Sequence, residues 1–189
     1  MLATRWSTGI VLGVLALLVG CQQPMNMEQM MTQPPRPTEL DRLNIFVGQW
    51  EGTMEMTMPG TDKPTMGKGV NTVSWDADKW VLVERFEGTM GEKNTRYASV
   101  GIWTWDPKIN KFRTYWFDNY GASGTGMCTY DEANKTWRMS SKGKSSAGST
   151  CGEGTTKIIN NNTMEWNYTE WDGLKLAKCM EMKATSKRK

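Results

Sequence analysis

The chain contains no histidine. That absence removes Ser-His-Asp and Cys-His catalytic sets, and zinc or haem sites that depend on imidazole. Net charge is small as well: 23 Lys and Arg stand against 20 Asp and Glu, leaving +3. Such a balance does not point to a nucleic-acid partner. The carboxylates offer no acid–base pair by spacing, since Asp76/Asp78 and Asp106/Asp118 fit turns and strand ends. Residues 60–68 have the wrong spacing for a phosphate loop and no βαβ context. The expectation is therefore a protein without enzymatic activity and without a cofactor. What the chain does have is 19 Gly spread along its length, 10 Trp and 15 Met. Dispersed glycine suits many tight turns.

The first twenty residues carry one cation, Arg5, and then the apolar run Ile10–Val19. The run is short for a membrane span and has the size of a secretory hydrophobic region. It ends Leu18-Val19-Gly20-Cys21, which resembles the lipobox of bacterial lipoproteins. An uncleaved anchor, or an ordinary signal with an accidental cysteine, are the other readings; position and motif agree on the lipobox. The resemblance implies that residues 1–20 are a signal peptide and that Cys21 is lipidated, tying the protein to a membrane. Gln22 after the cysteine implies, by the sorting pattern of enterobacterial lipoproteins, an outer-membrane protein facing the periplasm. Residues 21–38 read as a flexible tether ending in Pro34-Pro35-Arg36-Pro37, with a reach of roughly 55 Å when extended.

Residues 39–47 read as a short helix with Thr38 as its N-cap and Leu40, Leu43, Phe46 and Val47 on one face. From Gln49 onward, strand-like runs near 49–58, 67–76, 79–88, 94–105, 111–119, 123–131, 135–142, 152–160, 163–171 and 174–183 are separated by turn chemistry such as Pro59-Gly60, Asp106-Pro107 and Asp172-Gly173. Ten strands without intervening helices imply an all-β, closed antiparallel up-and-down β-barrel over residues 39–185, with a short N-terminal helix. Lys142–Thr150 reads as the most mobile loop. The basic end, Lys183–Lys189, reads as a solvated tail or a contact for an anionic membrane surface.

Three stretches together resemble a known family. They are Leu40…Leu43…Gly48-x-Trp50-x-Gly52; Gly101…Trp105-Asp106-Pro107…Lys111-Phe112…Trp116-x-Asp118; and Asp172-Gly173…Met180-Glu181-Met182. The pattern is similar to the bacterial domain of unknown function 1579 family, grouped with lipocalin-like (calycin) barrels and akin to nitrobindins. The resemblance implies a small closed barrel and brings no established activity. Nitrobindin haem binding uses a histidine, so that function does not carry over to this chain.

Pairing Trp105 with Phe112 across the 106–111 turn puts Tyr97, Trp103, Trp105, Phe112 and Trp116 on one sheet face, with Val100, Ile102, Tyr115 and Phe117 on the other, and the pattern alone does not say which face is interior. Trp166 and Tyr168 alternate in the same way, and Trp50, Met54 and Met56 share a face of the first strand. These rings and thioethers either line a pocket for a small apolar or amphipathic ligand or simply fill a barrel core. Arg85, Arg96, Arg113 and Lys178 lie within apolar strands. Lys178 shares its parity with Leu174, Leu176, Met180 and Met182, and is the candidate to meet a ligand carboxylate. Met25, Met27, Met30 and Met31 in the tether are soft donors that would suit Cu(I), a lesser alternative; no other metal site is expected. With Cys21 lipidated, Cys128 and Cys151 form the expected disulfide, leaving Cys179 free. The working expectation is a lipid-anchored ligand-binding barrel, a monomer or weak dimer. The alternative is a structural or partner-binding envelope lipoprotein whose barrel is filled by its own side chains.

Overall fold

The structure, a computed structural model, describes residues 32–189. The expected signal peptide 1–20, the lipidation site Cys21 and the tether methionines Met25, Met27, Met30 and Met31 lie outside the described residues. Ten antiparallel strands follow one short helix: β1 Gly48–Thr57, β2 Thr65–Asp76, β3 Val81–Met90, β4 Thr95–Asp106, β5 Lys111–Asp118, β6 Ser123–Asp131, β7 Thr136–Ser145, β8 Gly148–Asn160, β9 Thr163–Asp172 and β10 Lys178–Arg188. Each pairs with its sequence neighbours, and β10 closes on β1 with Trp50 opposite Arg188 and Met56 opposite Met182. The expected meander and its closure are both present. Closure leaves no sheet edge unpaired.

The helix over Thr38–Phe46 is a 3-10 helix, with Pro37 in the capping position and no side-chain cap, so Thr38 is not the N-cap. Its three residues per turn stack Leu40, Leu43 and Phe46 on one side, and all three are buried. They plug one end of the barrel against Trp50, Val73, Leu82, Phe112, Cys128, Trp137, Ile158 and Met164. Leu40 and Leu43 are fully buried, each contributing about 1.5–3 kcal/mol of apolar transfer. The Trp50 indole N–H donates to the Phe46 carbonyl at 2.7 Å and fixes the helix's last turn to β1.

Three expectations are corrected here. Residues 142–150 are almost all strand: β7 runs to Ser145, β8 starts at Gly148, and only Ser146-Ala147 turns between them. The last strand starts four residues later than its sequence reading, because Gly173–Ala177 forms a loop folded around Asp172. The Asp172 carboxylate accepts from Leu176 N–H at 2.7 Å, and its amide donates to the Ala177 carbonyl at 2.9 Å. Leu174 and Leu176 are thereby exposed at the loop tip. Finally, the basic end is not a free tail. It is the closing strand, and Arg188 lies against Trp50 with its guanidinium 4.2 Å from the ring centroid.

Candidate functional site

Strand alternation decides what faces inward. On β4 the inward set is Tyr97, Ser99, Gly101, Trp103 and Trp105, and on β5 it is Phe112, Thr114 and Trp116; Tyr115 and Phe117 are exposed on the outside. The aromatic face is therefore the interior. The 3-10 plug fills one end of it. Between the plug and the opposite end the side chains leave a cavity of about 670 Å³, inside the roughly 300–1,000 Å³ typical of ligand pockets.

Trp50, Met54, Met56, Tyr97, Trp103, Trp116, Trp166 and Tyr168 all border this cavity, as the sequence face suggested. Trp105 and Phe112 do not: they pack edge-on at 4.8 Å, and Phe112 meets Trp137 at 5.0 Å, in the layer around the plug. The Trp116 ring lies over Gly124, where an added Cβ would come within 2.5 Å of its indole nitrogen. Trp166 and Tyr168 stack at 5.5 Å. Met54, Met56, Met180 and Met182 come together from the two strands that close the barrel.

Lys178 is not part of the cavity. The register slips between Lys178 and Met180, and a bulge of this kind reverses the side-chain parity. Met180 and Met182 stay inside while Lys178 turns out and pairs with Glu181 at 2.9 Å. Among the other strand cations, Arg96 pairs with Glu87, Arg113 pairs with Asp106, and Arg85 is exposed. The expected Cys128–Cys151 disulfide is also absent: both thiols are free, as is Cys179. Cys128 is buried on the inward face of β6, whereas Cys151 lies opposite Lys142 and Trp171 on the outward parity of β8. A barrel wall separates the two, so no rotamer joins them.

The charges that do border the cavity are mostly of the other sign. Among the described residues they are Glu84, Asp118, Glu170 and Lys144. Glu84 accepts from the Asn71 amide at 2.7 Å and from the Trp103 indole at 3.1 Å. Burial raises the Glu170 carboxyl above the ordinary carboxylate range, against the lowering effect of the Thr150 and Tyr168 hydroxyls. Burial also pushes Tyr168 up to about 12, and its phenol shares a 2.9 Å hydrogen bond with Ser141. Tyr97 rises to about 12 through burial and then through the nearby Asp118 charge. Both phenols thus stay protonated as hydrogen-bonding groups in the wall. Sequence reasoning missed Glu84, Asn71, Thr114 and Glu170. The signal was available: Glu84 alternates with Leu82 and Phe86, and Glu170 with Trp166 and Tyr168. An acidic residue on an apolar parity carries the same information as a cation there. Among the described residues no three His, Cys, Asp or Glu side chains are placed to hold a metal ion.

A family described as proteins of unknown function (DUF1579) matches residues 37–186. No curated protein matches the chain. Among solved structures, the barrel is similar to Rv2717c from M. tuberculosis, at 11% identity over 82% of this chain and 99% of that one, with a TM-score of 0.62. It is also similar to the S-type phycobiliprotein lyase CPES from Guillardia theta, at 10% identity over 82% of this chain and 94% of that one, with a TM-score of 0.59. At such identities the likeness is one of fold.

Proposed function

The chain belongs to the DUF1579 family, and from that premise we propose that it is a binding protein whose barrel holds one small apolar or amphipathic molecule. The observation that carries this reading is the cavity of about 670 Å³, walled by tryptophan, tyrosine and methionine. A barrel serving only as scaffold would be expected to fill that volume, since native interiors pack as densely as organic crystals. Here Trp103 and Trp137 close the plug end, and the inward side chains beyond them stop short of one another. The reading is one of binding, not of chemistry on the ligand. Kinship with lipocalin-like and nitrobindin barrels belongs to the same proposal, supported by the up-and-down closure.

The address is part of the proposal. Leu18-Val19-Gly20-Cys21 would make Cys21 the lipidated first residue of a tethered domain at the outer membrane, facing the periplasm. Several acyl chains on one residue exceed what stable anchoring needs. The barrel would then act as a monomer or weak dimer beside a source of amphiphiles.

The test is tryptophan emission during titration with uncharged amphiphiles and hydrophobic dyes, together with native mass spectrometry of the purified protein. A saturable shift and a copurified small molecule are expected. Trp116→Ala should lower ligand affinity while costing less than about 2 kcal/mol of stability, because it removes a pocket wall. Truncating a tryptophan in a filled core costs roughly 3–5 kcal/mol. A flat titration, no copurified molecule and a core-sized loss at Trp116 would together retire the binding reading.

A further inference from the structure

The cavity floor is a single layer. One inward step from Val73, Leu82 and Phe112, all in the plug-end core, come Asn71, Glu84 and Thr114. Trp103 stands among them, paired with Leu82 on one side and Thr114 on the other. The hydrogen bonds within this layer run one way. The Asn71 Nδ2 and the Trp103 indole N–H each donate to Glu84. The Asn71 Oδ1 and the Thr114 Oγ1 are buried with no protein partner among the described residues. Thr114 is 6% exposed, and Gly126 opposite it has no side chain: a Cβ there would come within 2.5 Å of the Thr114 oxygen. A buried oxygen without a partner is unfavourable; Asn71 Oδ1 can only accept and the Thr114 hydroxyl accepts as well as donates, so an occupant that supplies donors satisfies both.

We propose that this layer seats a hydrogen-bond-donating cation, so that the occupant of the barrel is an amphiphile with an ammonium head on the floor and an apolar chain toward the methionines. This deepens the binding reading above and rests on it. The head would face the Glu84 carboxylate and give its N–H groups to Asn71 Oδ1 and Thr114 Oγ1. The chain would run past Trp116 to Met54, Met56, Met180 and Met182, whose flexible thioethers adapt to varied tails. Three of the four charged side chains around the cavity are acidic, although the whole chain carries a net +3. A ligand carboxylate on the floor would meet like charge at Glu84, and among the described residues around the cavity Lys144 is the one cation.

The experiment titrates the protein with decylammonium, decanol and decanoate, matched in chain length, and follows tryptophan emission. Decylammonium should bind about tenfold tighter than decanoate or more, the worth of one charge-assisted contact. Glu84→Gln should lower decylammonium affinity about tenfold and leave decanol within about twofold. Decanoate binding as tightly as decylammonium, or Glu84→Gln leaving decylammonium unchanged, overturns the head-group assignment while decanol binding keeps the barrel a ligand-binding one. If none of the three binds, both readings fall together. Should Glu84→Gln fail to fold by circular dichroism, Thr114→Val carries the test, since it removes a hydroxyl with no protein partner. A loss of about threefold or more in decylammonium affinity at unchanged melting temperature supports the proposal, and unchanged affinity overturns it.

Discussion

Arg188 is one residue from the C-terminus and yet latches the plug. Its Nη2 donates to the Ile45 carbonyl at 2.8 Å, its Nη1 to the Val47 carbonyl, and its Nε to the Asn161 carbonyl at 3.0 Å. The same guanidinium covers the buried Trp50 ring. Gly48 makes room, with φ at +125°, and an added Cβ would come 2.7 Å from Arg188 Nη1. Arg188→Met keeps an apolar stem over Trp50 and removes all three donations. Hydrogen bonds from charged groups are worth about 1.5–3 kcal/mol each and the ring contact about 0.5–2. The group is only part-buried and water can replace some of these bonds, so the terms do not add. We expect a net loss of about 3 kcal/mol. With a urea m-value of about 2 kcal/mol/M, the unfolding midpoint should fall by about 1.5 M. Arg188→Lys should recover little, because one ammonium cannot span three carbonyls held in a fork. Loosening the plug should also open Cys128 to alkylation under native conditions. A midpoint shift under about 0.5 M, or full rescue by lysine, would refute the latch.

The thiols give a second check: in unreduced protein, Cys128, Cys151 and Cys179 should all be free, and native alkylation should reach Cys151 and Cys179 well before Cys128, whose thiol is buried and pushed up to about 12. Peptide mapping that recovers a Cys128–Cys151 bridge would contradict the barrel register. Glu170 gives a pH signature. Burial makes its folded form hold a proton more tightly than its unfolded form, so its effect favours folding most below the ordinary carboxylate range. That margin is lost as pH rises through that range to the higher folded value. Glu170→Gln should therefore gain stability relative to wild type as pH rises from about 4 to neutrality, and a pH-independent difference in melting temperature would refute it. Cys21→Ser should release the protein from membranes and end incorporation of radiolabelled fatty acid, whereas wild type that never takes up label would dismiss the lipid anchor.

Strand alternation, turn residues and the absence of helical periodicity after Phe46 were legible in the sequence, and they determined ten strands closing on themselves. They also grouped the rings of β4, β5 and β9, because the period of two forces Tyr97, Trp103 and Trp116 to one side; which side faces inward was decided only by closure of the barrel. The plug residues Leu40, Leu43 and Phe46 were legible too, and their spacing of three suits the 3-10 helix that carries them. What the tertiary structure decided was everything that depends on a count across strands. A one-residue bulge near Cys179 turned Lys178 outward, and no local pattern announces such a slip. Closure placed Cys128 and Cys151 on opposite sides of a wall and made the basic terminus a strand. The cavity itself is a remainder, the volume left when inward side chains from ten strands fail to meet. Residue types name what lines it, but only the barrel's diameter and register decide that space is left, and that Glu84, Asn71 and Thr114 share its floor.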